Sequence, residues 1–277
     1  MTNHSQDNLL DLAKDFAQQG QKQKAIDSLE EALRMGFDLK IVLELSKLYR
    51  QTGQEDQAYA VIKTVPDLFS IEQVLDEYEK VLAANHYLIE ALQVRNLTQG
   101  ELEFLVEAAK PSEQRTIMQQ FRSSKAVTLS QYQELFKLDL PTYLAFAQSV
   151  LIDPLEDSTV KVALTEDLVK LGREEEFTIT ILGQNHVFVP KEVPMLNQDT
   201  VYKEVITAIA GKFHNRPSEL PLYLSEANFA LGKLYPCQKA FISNPDAFAK
   251  DLLNFLQKKP VYSYQKLLEK IYSKNAG

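Results

Sequence analysis

A mainly α-helical fold with one inserted β-hairpin is what this 277-residue sequence predicts, on three observations. Glycine is scarce: 9 residues, well under the roughly 7% of an average chain. Turn-dense all-β folds and glycine-rich phosphate loops both need backbone freedom that such a chain mostly lacks. Near the start, an apolar–small–aromatic pattern recurs at a fixed offset, the one that separates Gly20 from Gly53. A single stretch beginning at Phe177 changes from helical spacing to strict alternation.

The recurrence comes first along the chain. Leu9, Leu12, Ala13 and Phe16 return as Val42, Leu45, Ser46 and Tyr49; Gly20 returns as Gly53, Ala25 as Ala58, Leu29 as Ile62 and Ala32 as Val65. In each block the first four positions fall at i, i+3, i+4 and i+7, one apolar helix face. The glycine then sits where a helix must end in a left-handed conformation, and the alanine is small where a paired helix approaches.

These residues resemble the tetratricopeptide repeat (TPR), whose W-x2-L-G-x2-Y, A-x3-F and P positions span about 34 residues. Leu9 and Val42 stand in for tryptophan, Ala13 and Ser46 for glycine, and Phe37 or Ser70 for the closing proline. The resemblance implies a right-handed superhelical stack of antiparallel helix pairs, with two clear repeats over 6–66. A degenerate third over 67–97 is expected from Ile71, Val74, Leu75 and Tyr78, with Tyr87 in place of the small alanine and no glycine turn. Residues 1–97 then form the repeat region, 98–172 further helical pairs continuing the stack, and 173–277 the β-hairpin with C-terminal helices.

Helices are expected at 98–109, 112–123, 128–137, 141–152 and 155–171. Thr98-x-x-Glu101 reads as a capping box, Pro111, Pro141 and Pro154 as first-turn prolines, and Gly172 as a stop. The pattern fits TPR-like and HEAT-like pairs equally. Phe177, Ile179 and Ile181 then alternate with threonines; Gly183-Gln184-Asn185 reads as a turn and Val187-Phe188-Val189 as the return strand, placing the hairpin near 176–190. An isolated hairpin is marginal in water, so this one must lie against helices. Helices return at about 198–214, 218–233, 245–258 and 261–273, bounded by Asn244-Pro245 and Pro260.

The formal net charge is −8, unevenly spread: residues 1–202 carry 19 basic and 32 acidic side chains, residues 203–277 carry 11 and 6. The acidic body counts against nucleic-acid binding. Lys258, Lys259, Lys266, Lys270 and Lys274 read as solvated helix faces, with an anionic partner as the alternative. No apolar run is long enough to cross a membrane, MTNHSQDNLL has no signal-like character, and a single cysteine, Cys237, fits a reducing cytoplasm.

Catalytic motifs are not found: no HExxH, CxxC, GxSxG, GxxxxGK[ST] or EF-hand pattern occurs. His4, His86, His186 and His214 are scattered, Glu174-Glu175-Glu176 reads as a solvated loop, and Asp153, Glu156 and Asp157 as charge at a helix N-terminus. No catalytic residue, metal site or cofactor is therefore assigned.

In TPR proteins the first helix of each pair lines a concave peptide-binding groove. Carried onto this sequence, the resemblance implies groove positions at Leu10, Lys14 and Ala17, then Lys40, Leu43, Lys47 and Arg50. Four basic residues there suit an acidic or C-terminal carboxylate peptide. The chaperone-tail clamp is not matched, since its positions read Leu10, Lys14 and Glu44. The expectation is a cytoplasmic, non-catalytic adaptor that binds a protein or peptide, with no membrane partner. The alternatives are an enzyme or enzyme subunit with its site around the hairpin and C-terminal helices, or nucleic-acid binding through the basic C-terminal segment.

Overall fold

The computed structural model describes residues 2–273; Lys274 and the side chain of His4 lie outside the described residues. The described chain is mainly helical, with one two-stranded antiparallel sheet. It divides into two compact units, one ending at Leu140 and one beginning at Pro141, so the division falls inside the expected 98–172 segment.

The first unit opens with three helical hairpins: α1 (Thr2–Gln18) with α2 (Lys22–Met35), α3 (Leu39–Gln51) with α4 (Glu55–Ile62), and α5 (Glu72–Asn85) with α6 (Leu88–Leu97). Each helix packs on the next, and α3 also packs on α5. Every first helix stops the same way. Gly20, Gly53 and His86 adopt φ of 75°, 72° and 59°. At each stop the left-handed residue's N–H reaches the carbonyl three back, and the following N–H the carbonyl five back: Gly53 to Arg50 and Gln54 to Tyr49, for example.

The third stop corrects the expected register of the third repeat. His86 follows Gly53 by the same interval that separates Gly53 from Gly20, so the residues equivalent to Val42, Leu45, Ser46 and Tyr49 are Leu75, Tyr78, Glu79 and Leu82. The small residue matching Ala25 and Ala58 is the buried Ala91, not Tyr87. The expected frame is one helical turn out because a histidine, not a glycine, takes the left-handed position.

Residues 98–109 are not helical. Thr98 ends α6: its hydroxyl donates to the Val94 carbonyl at 2.9 Å and accepts the Leu102 N–H at 3.2 Å, while Gln99 and Gly100 turn the chain at φ of 53° and 86°. The chain then runs without helix or strand to α7 (Pro111–Ser123), its residues alternating in burial: Leu102, Phe104, Val106 and Ala108 are half-buried between exposed Glu101, Glu103, Leu105 and Glu107. The short α8 (Leu129–Gln133), capped by a Thr128–Gln131 capping box, continues into a 3₁₀ turn at Glu134–Lys137.

The second unit holds α9 (Leu140–Leu151), α10 (Ser158–Lys170), β1 (Phe177–Ile181), β2 (Gln184–Phe188), α11 (Thr200–Lys212), α12 (Leu220–Gly232), α13 (Gln238–Phe241), α14 (Pro245–Leu256) and α15 (Gln265–Tyr272). Pro154 is not in a helical first turn; it precedes Asp157, whose carboxylate caps α10 at the Thr159 N–H. The hairpin turn is Leu182–Gly183, both left-handed at φ of 49° and 78°, so Gln184 and Asn185 belong to β2.

Helices do support the hairpin. The free edge of β1 is closed by side chains: the Gln148 amide donates to the Thr178 carbonyl at 2.9 Å and accepts its N–H at 3.0 Å, and the buried Lys161 amine donates to the Thr180 carbonyl at 3.1 Å. Burial pushes that amine's pKa down, against the pull of Asp153 and Glu156. A sheet edge satisfied this way offers no template for another chain.

The shared stops give a stability test. Gly53→Ala costs about 1 kcal/mol, because a Cβ disfavours the left-handed region, whereas His86→Gly gains up to about 1 kcal/mol. Urea unfolding of the two variants checks both signs.

Candidate functional site

The residues expected to line a groove lie on α1 and α3. Lys14, Lys40 and Lys47 are exposed, and Leu10, Ala17, Leu43 and Arg50 are half-buried. On α3, Lys40, Leu43, Lys47 and Arg50 share a helix face by their i, i+3, i+7 and i+10 spacing. Asp38 fixes the start of that helix by accepting the Lys40 and Ile41 N–H groups at 2.8 and 3.3 Å.

Arg50 is already engaged. Its guanidinium donates to both carboxylate oxygens of Glu77 on α5, at 2.9 and 2.8 Å, and the Ser46 hydroxyl donates to the same carboxylate at 2.8 Å. With side chains only 20% and 10% exposed, this is an internal tie between the second and third hairpins. Lys14 pairs with Asp11 of its own helix at 2.9 Å, in the open. Lys40 and Lys47 have no ion-pair partner among the described residues.

The corrected register adds a residue that the sequence reading missed. Lys80 on α5 is exposed and follows Lys47 by the same interval as Lys47 follows Lys14. Each of the three first helices thus presents one lysine at the same repeat position. That constant spacing was visible in the sequence, but the misplaced third frame hid it.

A second group of polar residues between the hairpins is structural. The Glu90 carboxylate, 6% exposed, accepts hydrogen bonds from Tyr59, Tyr78 and Lys63. Tyr78 is pushed far above the ordinary tyrosine range, first by burial and then by the adjacent Glu90 charge. It stays protonated and serves as a donor.

The remaining candidates separate. His86 is exposed at its helix stop, with Nδ1 3.1 Å from the Glu107 carbonyl, and His214 is exposed after α11. His186 on β2 lies against Phe241, ring centroids 5.2 Å apart. Glu174 pairs with Lys191 and Glu175 with Arg173. Cys237 is half-buried and burial pushes its thiol pKa up, the opposite of an activated nucleophile. Among the described residues no group of three or more His, Cys, Asp or Glu is placed to hold a metal ion, and no helix is long and apolar enough to cross a membrane.

Comparison with protein-family models, curated proteins and solved structures returns no match to this chain.

The two kinds of charge on α3 respond differently to mutation. Glu77→Ala strands a half-buried arginine and costs about 3 kcal/mol, whereas Lys47→Ala changes stability by less than about 0.5 kcal/mol. Urea midpoints of the two variants and of the Arg50→Ala, Glu77→Ala double variant check this; the double loses less than the summed singles.

Proposed function

We propose that the chain is a non-catalytic interaction module that holds an extended, acidic peptide segment across the first helices α1, α3 and α5. The observation that carries this reading is the row Lys14, Lys47 and Lys80, one exposed amine per hairpin at one constant interval along the chain. The first helices α3 and α5 pack on each other, packed helices lie about 10 Å apart, and an extended chain advances about 3.3 Å per residue. Carboxylates three residues apart on the peptide therefore keep step with Lys47 and Lys80, and the segment runs on toward Lys14 of α1. Leu10, Leu43 and the stem carbons of the lysines supply apolar contact between the charges.

The TPR-like stack expected from the sequence gives this face its concave form in the proposal. Lys40 adds a second amine on α3, and Arg50 acts by holding α3 to α5 rather than by meeting the peptide.

Fluorescence anisotropy with a labelled peptide bearing glutamates three residues apart tests the reading. Binding is expected to weaken with salt, and Lys47→Glu with Lys80→Glu is expected to weaken it at least about tenfold, roughly 1.4 kcal/mol. Equal affinity of that variant, or of a peptide with its glutamates clustered at one end, refutes the lysine row as the binding element.

A further inference from the structure

The second unit contains a cavity of about 610 Å³ that the groove reading does not involve. Three separate segments build it: Leu182 and Gln184 at the hairpin turn, Phe241 at the end of α13, and Tyr262, Lys266 and Lys270 around the start of α15. Its volume is that of a small-molecule site, for which about 300–1,000 Å³ is usual.

Two features distinguish it from an accidental surface dent. Its wall is fixed in place: the buried Asp251 carboxylate accepts the backbone N–H groups of Tyr262, Ser263 and Tyr264, at 3.4, 2.7 and 2.9 Å. Its charge has one sign, since no aspartate or glutamate lines it and neither Lys266 nor Lys270 has an ion-pair partner among the described residues. These lysines stand four apart, on one face of α15. Leu182 lines the cavity from the left-handed hairpin turn. The ring of His186 lies against Phe241, and its Nε2 is buried without a hydrogen-bond partner.

We infer that this cavity binds a small planar anion, an aromatic ring carrying a phosphate or a carboxylate. The rings of Phe241 and Tyr262, the latter 75% exposed, offer flat apolar surface to the ligand's ring. The ammonium groups of Lys266 and Lys270 take its anionic group, and the Gln184 amide supplies a neutral donor and acceptor. Both charge and flatness are needed. Inorganic phosphate lacks the ring, and an uncharged nucleoside lacks the anion.

Isothermal titration of the full chain separates the sources. Adenosine monophosphate and 4-hydroxybenzoate are the two aromatic anions; adenosine and inorganic phosphate are the half-ligands. Saturable binding of at least one aromatic anion is expected, about tenfold or more tighter than either half-ligand. The tighter of the two identifies phosphate or carboxylate as the anionic group. Lys266→Glu is expected to weaken that binding at least about tenfold and Tyr262→Ala by a similar factor, while Lys258→Glu, outside the cavity, leaves it unchanged. Lys266, Tyr262 and Lys258 are all exposed, so the variants keep the fold. No saturable heat from either aromatic anion overturns the inference, as does unchanged affinity in Lys266→Glu. Both results are independent of peptide binding by the first unit.

Discussion

The left-handed stop at the end of each first helix is the constraint on which the first unit depends. Because Gly20, Gly53 and His86 close α1, α3 and α5 with the same pair of backbone hydrogen bonds, each second helix leaves its turn in the same way. Ala25, Ala58 and Ala91 then fall at the same buried position of α2, α4 and α6. An identical stop repeated at a constant interval also repeats every outward-facing position of the helix before it. The lysines at 14, 47 and 80 follow from the backbone period rather than from any contact among themselves.

Within that frame, carboxylates divide by burial into two jobs. Glu77 and Glu90 are both buried and join successive hairpins, Glu77 through Arg50 and Ser46, and Glu90 through Tyr59, Tyr78 and Lys63. Removed from water, such groups are costly unless fully paired, and here each has at least two donors. Asp11 instead meets Lys14 in an exposed pair, where solvent screening leaves little net stabilisation, and the half-buried Glu30 does both, pairing with the exposed Arg34 and accepting the Tyr49 hydroxyl of α3 at 2.8 Å. Basic residues follow the same division. Arg50, with its planar fork, is drawn inside, while Lys14, Lys47 and Lys80, more strongly hydrated, remain outside.

The sequence carried the first two hairpins clearly, because glycine marks their stops and apolar spacing marks their faces. Alternation from Phe177 likewise revealed the β-hairpin, to within two residues at its turn. Two things were obscured for physical reasons. His86 occupies a conformation whose signal is normally glycine, so the third frame slipped by one turn and took Lys80 with it. Thr98 and Glu101 match a capping box, yet Leu102, Phe104, Val106 and Ala108 alternate with Glu101, Glu103, Leu105 and Glu107, a period of two that outweighs the local cap. The cavity of the second unit has no linear signature at all, since its walls come from residues 182–184, 240–241 and 262–270.

That alternating segment also explains how the row of hairpins ends. Glu77, which reaches α3, and Glu79, which receives the Leu105 N–H, are two positions apart on α5 and so point about 200° apart around the helix. The segment therefore lies on the flank of α5 opposite α3. A helix there would need an apolar stripe on its own inner face. A chain alternating between half-buried and exposed residues covers the same flank with Phe104 against Tyr78 and leaves its glutamates in solvent, with Glu103 paired to Arg95. Lys80, about 60° from Glu77 and about 100° from Glu79 around α5, stays exposed beside it.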